Sequence, residues 1–223
     1  MSESKHHKKG HRSHDPEIDF LENEIDNILP YSRLKYDEPE FWENKYSKDT
    51  SYFEWGVPWS KIRPIVFEYV VDTDLALDVG CGTSNLAVDL INDGFKNVIC
   101  LDVSENCINA MKKRNESIQN INWVCGNCLN LTSNKKIDVI FDKGTMDSIL
   151  CGNSKNGKKE LFEISQIMKI GGYFFLISSG VPSSRKFLFS DPGIGLSLVG
   201  ERVIEIGELK KNTFYVYIAK KIA

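Results

Sequence analysis

Short apolar runs alternate with helical patterns from residue 75 to residue 222. Five runs read as buried strands, at LALDV (75–79), NVICLDV (97–103), INWVC (121–125), IDVIFD (137–142) and YFFLISS (173–179). Two more, RVIEIGE and FYVYIAKKI, alternate like an antiparallel hairpin around the polar link LKKN. Strands that are separated by helices form parallel sheets with helices on both faces. The pattern therefore predicts an α/β fold, with a doubly wound, mainly parallel seven-stranded sheet and an antiparallel C-terminal hairpin.

The helices between these strands have local start and stop signals. SNLAVDLIND is followed by Gly94, which is typical of a helix end. Ser104 is a predicted N-cap for a helix that carries Ile108 and Met111. A later helix is predicted to present Leu161, Ile164 and Met168 on one face, before a turn at Gly171-Gly172 leads into the fifth strand.

The chain before residue 74 has a different character. Residues 1–15 are basic and contain every histidine of the chain, and we expect them to be a disordered tail. Apolar positions at helical spacing predict an amphipathic helix over 17–29, which Pro30 ends. Residues 31–59 are rich in aromatics, with a short helix predicted after Pro39. We therefore predict one domain over 16–223, with a helical and aromatic cover (16–73) and a sheet core (74–223).

Composition narrows the class of protein. The 223 residues are 41% hydrophobic and 26% charged, which is ordinary for a globular chain and excludes wholesale disorder. There is no apolar run of membrane-spanning length, and the charged N-terminus does not resemble a secretory signal. Six cysteines without a signal peptide favour free thiols in a reducing, cytoplasmic compartment. A net charge of −3 argues against a nucleic-acid surface.

The most informative stretch is the glycine turn after the first strand. Gly80 and Gly82 allow a tight turn and a close ligand approach, but Asn85 replaces the third glycine of a dinucleotide fingerprint. Asp78 would repel a pyrophosphate and attract a cation. Asp102 ends the second strand, where a carboxylate can accept hydrogen bonds from both ribose hydroxyls. Together these features predict a cationic nucleoside without phosphate, namely S-adenosylmethionine.

The same residues carry a family resemblance. The pattern D-x-G-x-G-x-S followed by Asp102 resembles the class I, seven-β-strand methyltransferases. FDKGTMDSIL (141–150), FWENKY (41–46) and FEWGVPW (53–59) are similar to the branch that contains the lysine methyltransferases of translation elongation factor 1-alpha. The resemblance covers roughly residues 31–179. It implies a cytoplasmic protein-lysine methyltransferase with a protein substrate, for which elongation factor 1-alpha is the candidate, and we expect a monomer.

The resemblance also implies roles for individual residues. Trp42, Tyr46 and Trp55 would close over the cofactor, and Gly80 would meet its methionyl part. The ribose would bind Asp102, and the adenine would lie beside Val103, Asn127 and Cys128, with Lys143 near the methionyl end. This chain departs from the family at two positions. The family usually has an acidic residue at the position of Asn127, and it has an aromatic residue after the equivalent of Trp55, where this chain has Gly56. The loop after strand five is unlike the family pattern, which leaves the substrate open.

Catalytic residues are less well specified. Because the predicted core has no histidine, a general base there would be a carboxylate, tyrosine, lysine or water. Asp142 and Asp147 are candidates for orienting a substrate amine, with helix capping as the alternative. Phe53, Trp55 and Trp59 either line a lysine channel or form a plain core. Arg185 and Lys186 either steer an acidic substrate or are ordinary surface residues.

Other readings stay open at this point. Cys125 and Cys128 have C-x-x-C spacing, but no second pair specifies a zinc site, so no metal is predicted. Cys81, Cys100, Cys107 and Cys151 are expected to be small buried groups. A methyltransferase of a small molecule or RNA, and a silent methyltransferase-like scaffold, remain alternatives. A nicotinamide oxidoreductase is disfavoured by Asp78 and Asn85.

Overall fold

The computed structural model describes residues 35–207 and 212–223. The predicted tail over 1–15 and the predicted helix over 17–29 lie outside the described residues, as does most of the LKKN link. Within the described ranges, no helix combines the length and apolar character that crossing a membrane requires.

Helices and strands alternate along the described chain. The helices are α1 (Pro39–Lys48), α2 (Trp59–Val66), α3 (Leu86–Asn92), α4 (Glu105–Arg114), α5 (Thr145–Ile149), α6 (Ser154–Ile167) and α7 (Pro182–Arg185), and 3-10 turns follow at Lys186–Phe189 and Pro192–Ile194. The strands are β1 (Ala76–Val79), β2 (Val98–Asp102), β3 (Ile121–Cys125), β4 (Ile137–Lys143), β5 (Met168–Ser178), β6 (Leu196–Ile206) and β7 (Asn212–Lys221).

These strands form one seven-stranded sheet in the order β3-β2-β1-β4-β5-β7-β6. The first five pair in parallel, and β7 lies antiparallel between β5 and β6. The predicted fold class is thereby confirmed, including the C-terminal hairpin. Strand order reverses at β1, which pairs with β2 on one side and β4 on the other. In open parallel sheets, ligands bind at the carboxyl ends of the strands beside such a reversal.

The sheet separates two hydrophobic cores, because successive strand residues point to opposite faces. In β4, Phe141 packs into the core that contains Trp59 and Leu90, while Ile140 packs into the core that contains Leu161 and Ile164. Both faces are therefore covered, as the continuous apolar runs predict.

Several helix ends follow the predicted local signals. The Ser104 hydroxyl accepts a hydrogen bond from the Cys107 N–H at 3.2 Å, which makes Ser104 the N-cap of α4. Gly94 follows α3 with a φ of +97°. That left-handed conformation favours glycine and ends the helix.

Three local predictions need correction. Met168 begins β5 instead of extending α6, so β5 starts five residues before the predicted Tyr173. The pair Gly171-Gly172 lies inside this strand, at an irregularity in its pairing with β4. A Cβ on Gly172 would lie 2.6 Å from the Asp138 carbonyl oxygen, so the two backbones approach too closely for a side chain. Cys151 is exposed, whereas Cys81, Cys100 and Cys107 are buried as expected.

Helix α2 is an element that the sequence pattern did not predict. It begins at Trp59 and contains Pro64 in its interior. The Trp59 ring packs edge-on against Phe95 and Phe141, and its Nε1 donates to Asp93 at 2.5 Å. The aromatic cluster was open to two interpretations, a lysine channel or a hydrophobic core, and Trp59 belongs to the hydrophobic core.

Candidate cofactor site

A pocket opens at the carboxyl ends of β1, β2 and β4, beside the reversal in strand order. It encloses about 940 Å³ of empty space, including its open mouth. Its walls contain ten of the predicted cofactor residues: Trp42, Tyr46, Trp55, Gly80, Gly82, Asp102, Val103, Asn127, Cys128 and Lys143.

The glycine turn forms the floor of the pocket. Gly80 and Gly82 have φ values of +63° and +52°, which side chains rarely adopt. A Cβ on Gly80 would lie only 1.9 Å from Thr145 Oγ1, which donates to the Val79 carbonyl at 2.8 Å. Thr145 thus fixes the end of β1 against the start of α5, and only glycine fits between them.

Asp102 is held by backbone donors at the end of β2. One carboxylate oxygen accepts from the Gly82 N–H and the other from the Ser104 N–H, each at 2.9 Å. Burial raises the pKa of Asp102, and these two backbone hydrogen bonds oppose that shift. The carboxylate is thereby fixed in the pocket wall, and each oxygen retains a lone pair for a ribose hydroxyl.

The loop after β3 forms the predicted adenine side. Asn127 and Cys128 both line the pocket. The Asn127 side-chain oxygen accepts from the Leu129 N–H at 2.8 Å, which fixes the amide beside the pocket. The C-x-x-C pair is not a disulfide, since Cys125 and Cys128 are free thiols, and Cys125 Sγ contacts the Val103 carbonyl at 3.6 Å.

Helix α1 covers the glycine turn. A Cβ on Gly82 would lie 2.9 Å from the Tyr46 hydroxyl, so this hydroxyl lies directly against the turn. Trp42 stacks on Tyr46 and donates its Nε1 to the Tyr36 carbonyl at 2.7 Å. The carboxylate of Glu43 accepts from the Ser104 hydroxyl and joins α1 to the N-terminus of α4. Motif FWENKY therefore serves both to cover the pocket and to attach the cover.

Residues 49–58, which we call the aromatic strap, close the other side of the pocket. Trp55 lies against Gly144, where a Cβ would be 2.4 Å from the indole ring. Phe53 packs edge-on against Trp55, with ring centroids 6.3 Å apart. The carboxylate of Glu54 contacts the ammonium of Lys143, and this ammonium also donates to the Trp55 carbonyl at 3.4 Å. Lys143 thus attaches the strap to the end of β4.

Asp78 lies behind the pocket wall and is not among the residues that line the pocket. It is 2% exposed within β1. Burial raises the pKa of Asp78 to about 7, and the positive charge of Lys143 opposes the shift. Its predicted direct contact with the cofactor stays a prediction.

The two candidate catalytic carboxylates do not line the pocket either. Asp142 is fully buried and accepts from the Thr145 and Met146 N–H groups, so it caps α5. Burial raises its pKa, and these hydrogen bonds oppose the shift. Asp147 accepts from the Ser179 N–H at 2.8 Å and forms an ion pair with Arg185 at 2.9 Å. Both carboxylates are thus engaged in local structure, and their substrate role stays a prediction.

The pocket also contains residues that sequence reasoning missed. Tyr36 and Asp37 lie at the start of the described chain, and Asp37 packs against Gly152, where a Cβ would be 1.8 Å from its carboxylate. Lys45 lines the pocket from α1. Lys45 lies within FWENKY (41–46), and Tyr36 and Asp37 lie shortly before it, but nothing in the sequence marks which way each side chain points. Lys186 pairs with Glu201 at 2.7 Å on the surface, outside the pocket.

The residues present fit S-adenosylmethionine. Because Gly82 has no side chain, the pocket keeps a space beside the Tyr46 hydroxyl that a Cβ would fill. The Asp102 carboxylate suits the ribose, and the Asn127 amide suits the adenine edge. Apart from Lys45 and Lys143, the pocket-lining residues carry no positive charge that would favour a phosphate.

Comparisons with known proteins agree with this site. The family model described as "Methyltransferase domain" matches residues 72–191, which is more than half of the chain. The solved structure of an S-adenosylmethionine-dependent methyltransferase from Clostridium acetobutylicum superposes with a TM-score of 0.61 at 15% identity, covering 91% of this chain and all of that one. The fold is thus that of the class I methyltransferases, and the chain belongs to the methyltransferase domain family. This confirms the predicted enzyme class and S-adenosylmethionine as cofactor.

Two curated relatives extend the comparison. The mouse protein named "EEF1A lysine methyltransferase 4" is 28% identical over 170 residues, covering 70% of this chain and 67% of that protein. The mouse "eEF1A lysine and N-terminal methyltransferase" is 26% identical over 159 residues, covering 68% of this chain. The chain matches only 23% of the length of the latter.

Proposed function

We propose that this protein is an S-adenosylmethionine-dependent protein-lysine N-methyltransferase that acts on a translation factor, with elongation factor 1-alpha as the candidate substrate. The observation that carries the proposal is a single pocket that combines the cofactor residues with an aromatic entrance. Tyr36, Phe53 and Trp55 line this entrance, and the names of the two mouse relatives support the same substrate.

The bound cofactor would supply an activated methyl group on a sulfonium, so positioning is the main task of the protein. A substrate lysine with a pKa of ~10.4 must lose its proton, at a cost of about 4.6 kcal/mol at pH 7. Phe53 and Trp55 provide an apolar wall that would desolvate the amine and lower its pKa. The same ring faces attract the ammonium before the proton is lost.

Asp37 is well located to orient the substrate amine. Asp37 and Asp102 are the two carboxylates among the pocket-lining residues of the described chain, whereas Asp142 and Asp147 do not line the pocket. A carboxylate at the mouth favours a cationic side chain and disfavours nucleic acid. We therefore extend the candidates for substrate orientation to Asp37, beside the two predicted from the sequence.

The test is methyl transfer to elongation factor 1-alpha that was made in bacteria. The purified full chain is incubated with tritiated S-adenosylmethionine and this factor, and the labelled residue is located by mass spectrometry. Parallel reactions contain total RNA or a small-molecule extract. Asp102→Ala is the inactive control, and Asp72→Ala, an exposed surface aspartate, is its matched active control.

We expect label on a lysine side chain of the factor with the unmodified chain and with Asp72→Ala, and background with Asp102→Ala. Label in RNA or a small molecule, with none in protein, would contradict the lysine assignment. S-adenosylhomocysteine binding without transfer to any fraction would favour a silent scaffold. A cytoplasmic location and a monomeric state belong to the same proposal, and fractionation and sedimentation test them.

A further inference from the structure

The side chain of Lys45 lies in an aromatic cage at the pocket. Its Nζ lies over the rings of Trp42, Tyr46 and Phe53, at 4.8, 5.3 and 4.9 Å from the ring centroids. Three ring faces around one ammonium form a cation-binding arrangement. Within residues 35–207 and 212–223, no carboxylate lies at ion-pair distance from this ammonium, and Asp49 at the end of α1 is a carboxylate on which its charge acts from farther away.

The cage lies between the two ends of the cofactor pocket. Tyr46 covers Gly82 on the ribose side. Phe53 contacts Trp55, which covers Gly144 on the methionyl side. The Lys45 side chain lines the same pocket, with its amine over the Tyr46 and Phe53 rings.

We propose that Lys45 is a self-methylation site, a proposal that rests on the proposed lysine methyltransferase function. In this step the neutral Nζ of Lys45 forms a bond to the methyl carbon of S-adenosylmethionine. The bond between that carbon and the sulfonium sulfur breaks, and the sulfur keeps the electron pair. The proton that Nζ loses goes to solvent, which reaches the partly exposed Lys45 side chain.

A chemical argument connects the cage to this outcome. An amine within an aromatic cage keeps its favourable contacts when methyl groups replace its protons, because a methylated ammonium still interacts with the ring faces. An amine that pairs with a carboxylate, such as Lys35 with Glu38 at 2.8 Å, would instead lose hydrogen-bond donors. The cage thus favours the methylated product, which remains a cation.

The first experiment measures transfer without any other protein. The full chain is incubated with tritiated S-adenosylmethionine alone, and peptide mass spectrometry locates the methyl group. Lys45→Arg removes the acceptor amine, and Lys48→Arg, an exposed lysine in the same helix, is the matched control. We expect label on Lys45 that is lost in Lys45→Arg, is retained in Lys48→Arg and falls to background with excess S-adenosylhomocysteine.

The second experiment does not depend on turnover. The chain is treated with an amine-reactive acetylating reagent, with and without S-adenosylhomocysteine, and the modification of each lysine is quantified. If the Lys45 amine lies over the bound cofactor, S-adenosylhomocysteine should lower its modification several-fold and leave that of Lys48 unchanged. Equal or increased modification of Lys45 would put its amine away from the cofactor and overturn the proposal.

The outcomes separate this inference from the proposed function. A chain that methylates elongation factor 1-alpha but carries no methyl on Lys45 would overturn self-methylation alone. Label on any other lysine of the chain would overturn it as well. Label on Lys45 with no transfer to any added protein would support self-methylation and contradict the translation-factor substrate.

Discussion

The carboxylate of Glu54 contacts the ammonium of Lys143 across 89 positions of sequence. Both side chains are largely buried, at 17% and 5% exposed. This contact joins the aromatic strap to the end of β4, so the wall that carries Phe53 and Trp55 depends in part on this ion pair. Breaking a buried pair leaves the other charge uncompensated, which costs far more than breaking an exposed pair.

Glu54→Gln should therefore lower both stability and cofactor affinity. We expect a loss of about 3 kcal/mol in the free energy of unfolding, because the Lys143 charge remains buried. The matched control is Glu68→Gln, which breaks the exposed pair with Arg202 and should cost less than about 1 kcal/mol. Urea unfolding measures both variants. Equal losses would show that the strap is not held by this pair.

Gly144→Ala should displace Trp55. The new Cβ would lie 2.4 Å from the indole ring, at a φ of +92°. Gly94→Ala is the control, because its φ of +97° carries a similar backbone strain of about 1–2 kcal/mol while no atom lies within 4 Å. Calorimetric titration with S-adenosylhomocysteine should give at least tenfold weaker binding for Gly144→Ala alone. Unchanged affinity would remove Trp55 from the cofactor site.

Asp102→Ala should abolish measurable cofactor binding. Two hydrogen bonds from ribose hydroxyls to a carboxylate contribute about 1.5–3 kcal/mol each, so the affinity should fall about 100-fold or more. Asp102 also accepts two backbone hydrogen bonds, and a thermal unfolding curve must accompany the titration. A folded variant that binds S-adenosylhomocysteine normally would refute the site assignment.

Glu160→Gln should stabilise the protein at alkaline pH. Glu160 is fully buried in α6, where burial raises its pKa and the charge of Asp142 raises it further. A carboxyl whose folded-state pKa is raised stabilises the fold below its unfolded pKa and loses that contribution as pH rises through the folded value. The amide removes this loss. We expect a gain on the order of 1–3 kcal/mol at pH 8 and none near pH 4, by urea unfolding. A gain of equal size at both pH values would contradict the assignment.

The sheet could be predicted from the sequence because its strands carry local signals. The strand predicted over 121–125 has the same bounds as β3 in the structure. Ser104 caps α4 through its own side chain, as its position in the sequence predicts. The sequence predicts the glycine turn and Asp102 together, because the 20-residue spacing between Gly82 and Asp102 places both at the same edge of the sheet. Periodicity, capping and motif spacing depend on residues that are close together in the chain, so they can be recognised from the sequence alone.

The residues that the sequence did not reveal depend on distant partners. Glu43 attaches α1 through Ser104, 61 positions away, and nothing in FWENKY specifies that contact. Trp59 was grouped with Phe53 and Trp55 because the three are neighbours in sequence, yet it packs in the core against Phe141. Helix α2 turns Trp59 toward the sheet. Because Pro64 lowers the helix propensity of this segment, the sequence pattern does not predict the helix.

The position of β7 has a consequence for how the fold tolerates damage. Because β7 lies between β5 and β6, strand β6 reaches the sheet only through it. Tyr217 in β7 also donates its hydroxyl to the Gly180 carbonyl at 2.6 Å, in the segment between β5 and α7. Loss of that single strand would therefore detach a second strand and remove the hydrogen bond that holds Gly180, so the C-terminal end of the chain stabilises more of the fold than its own residues.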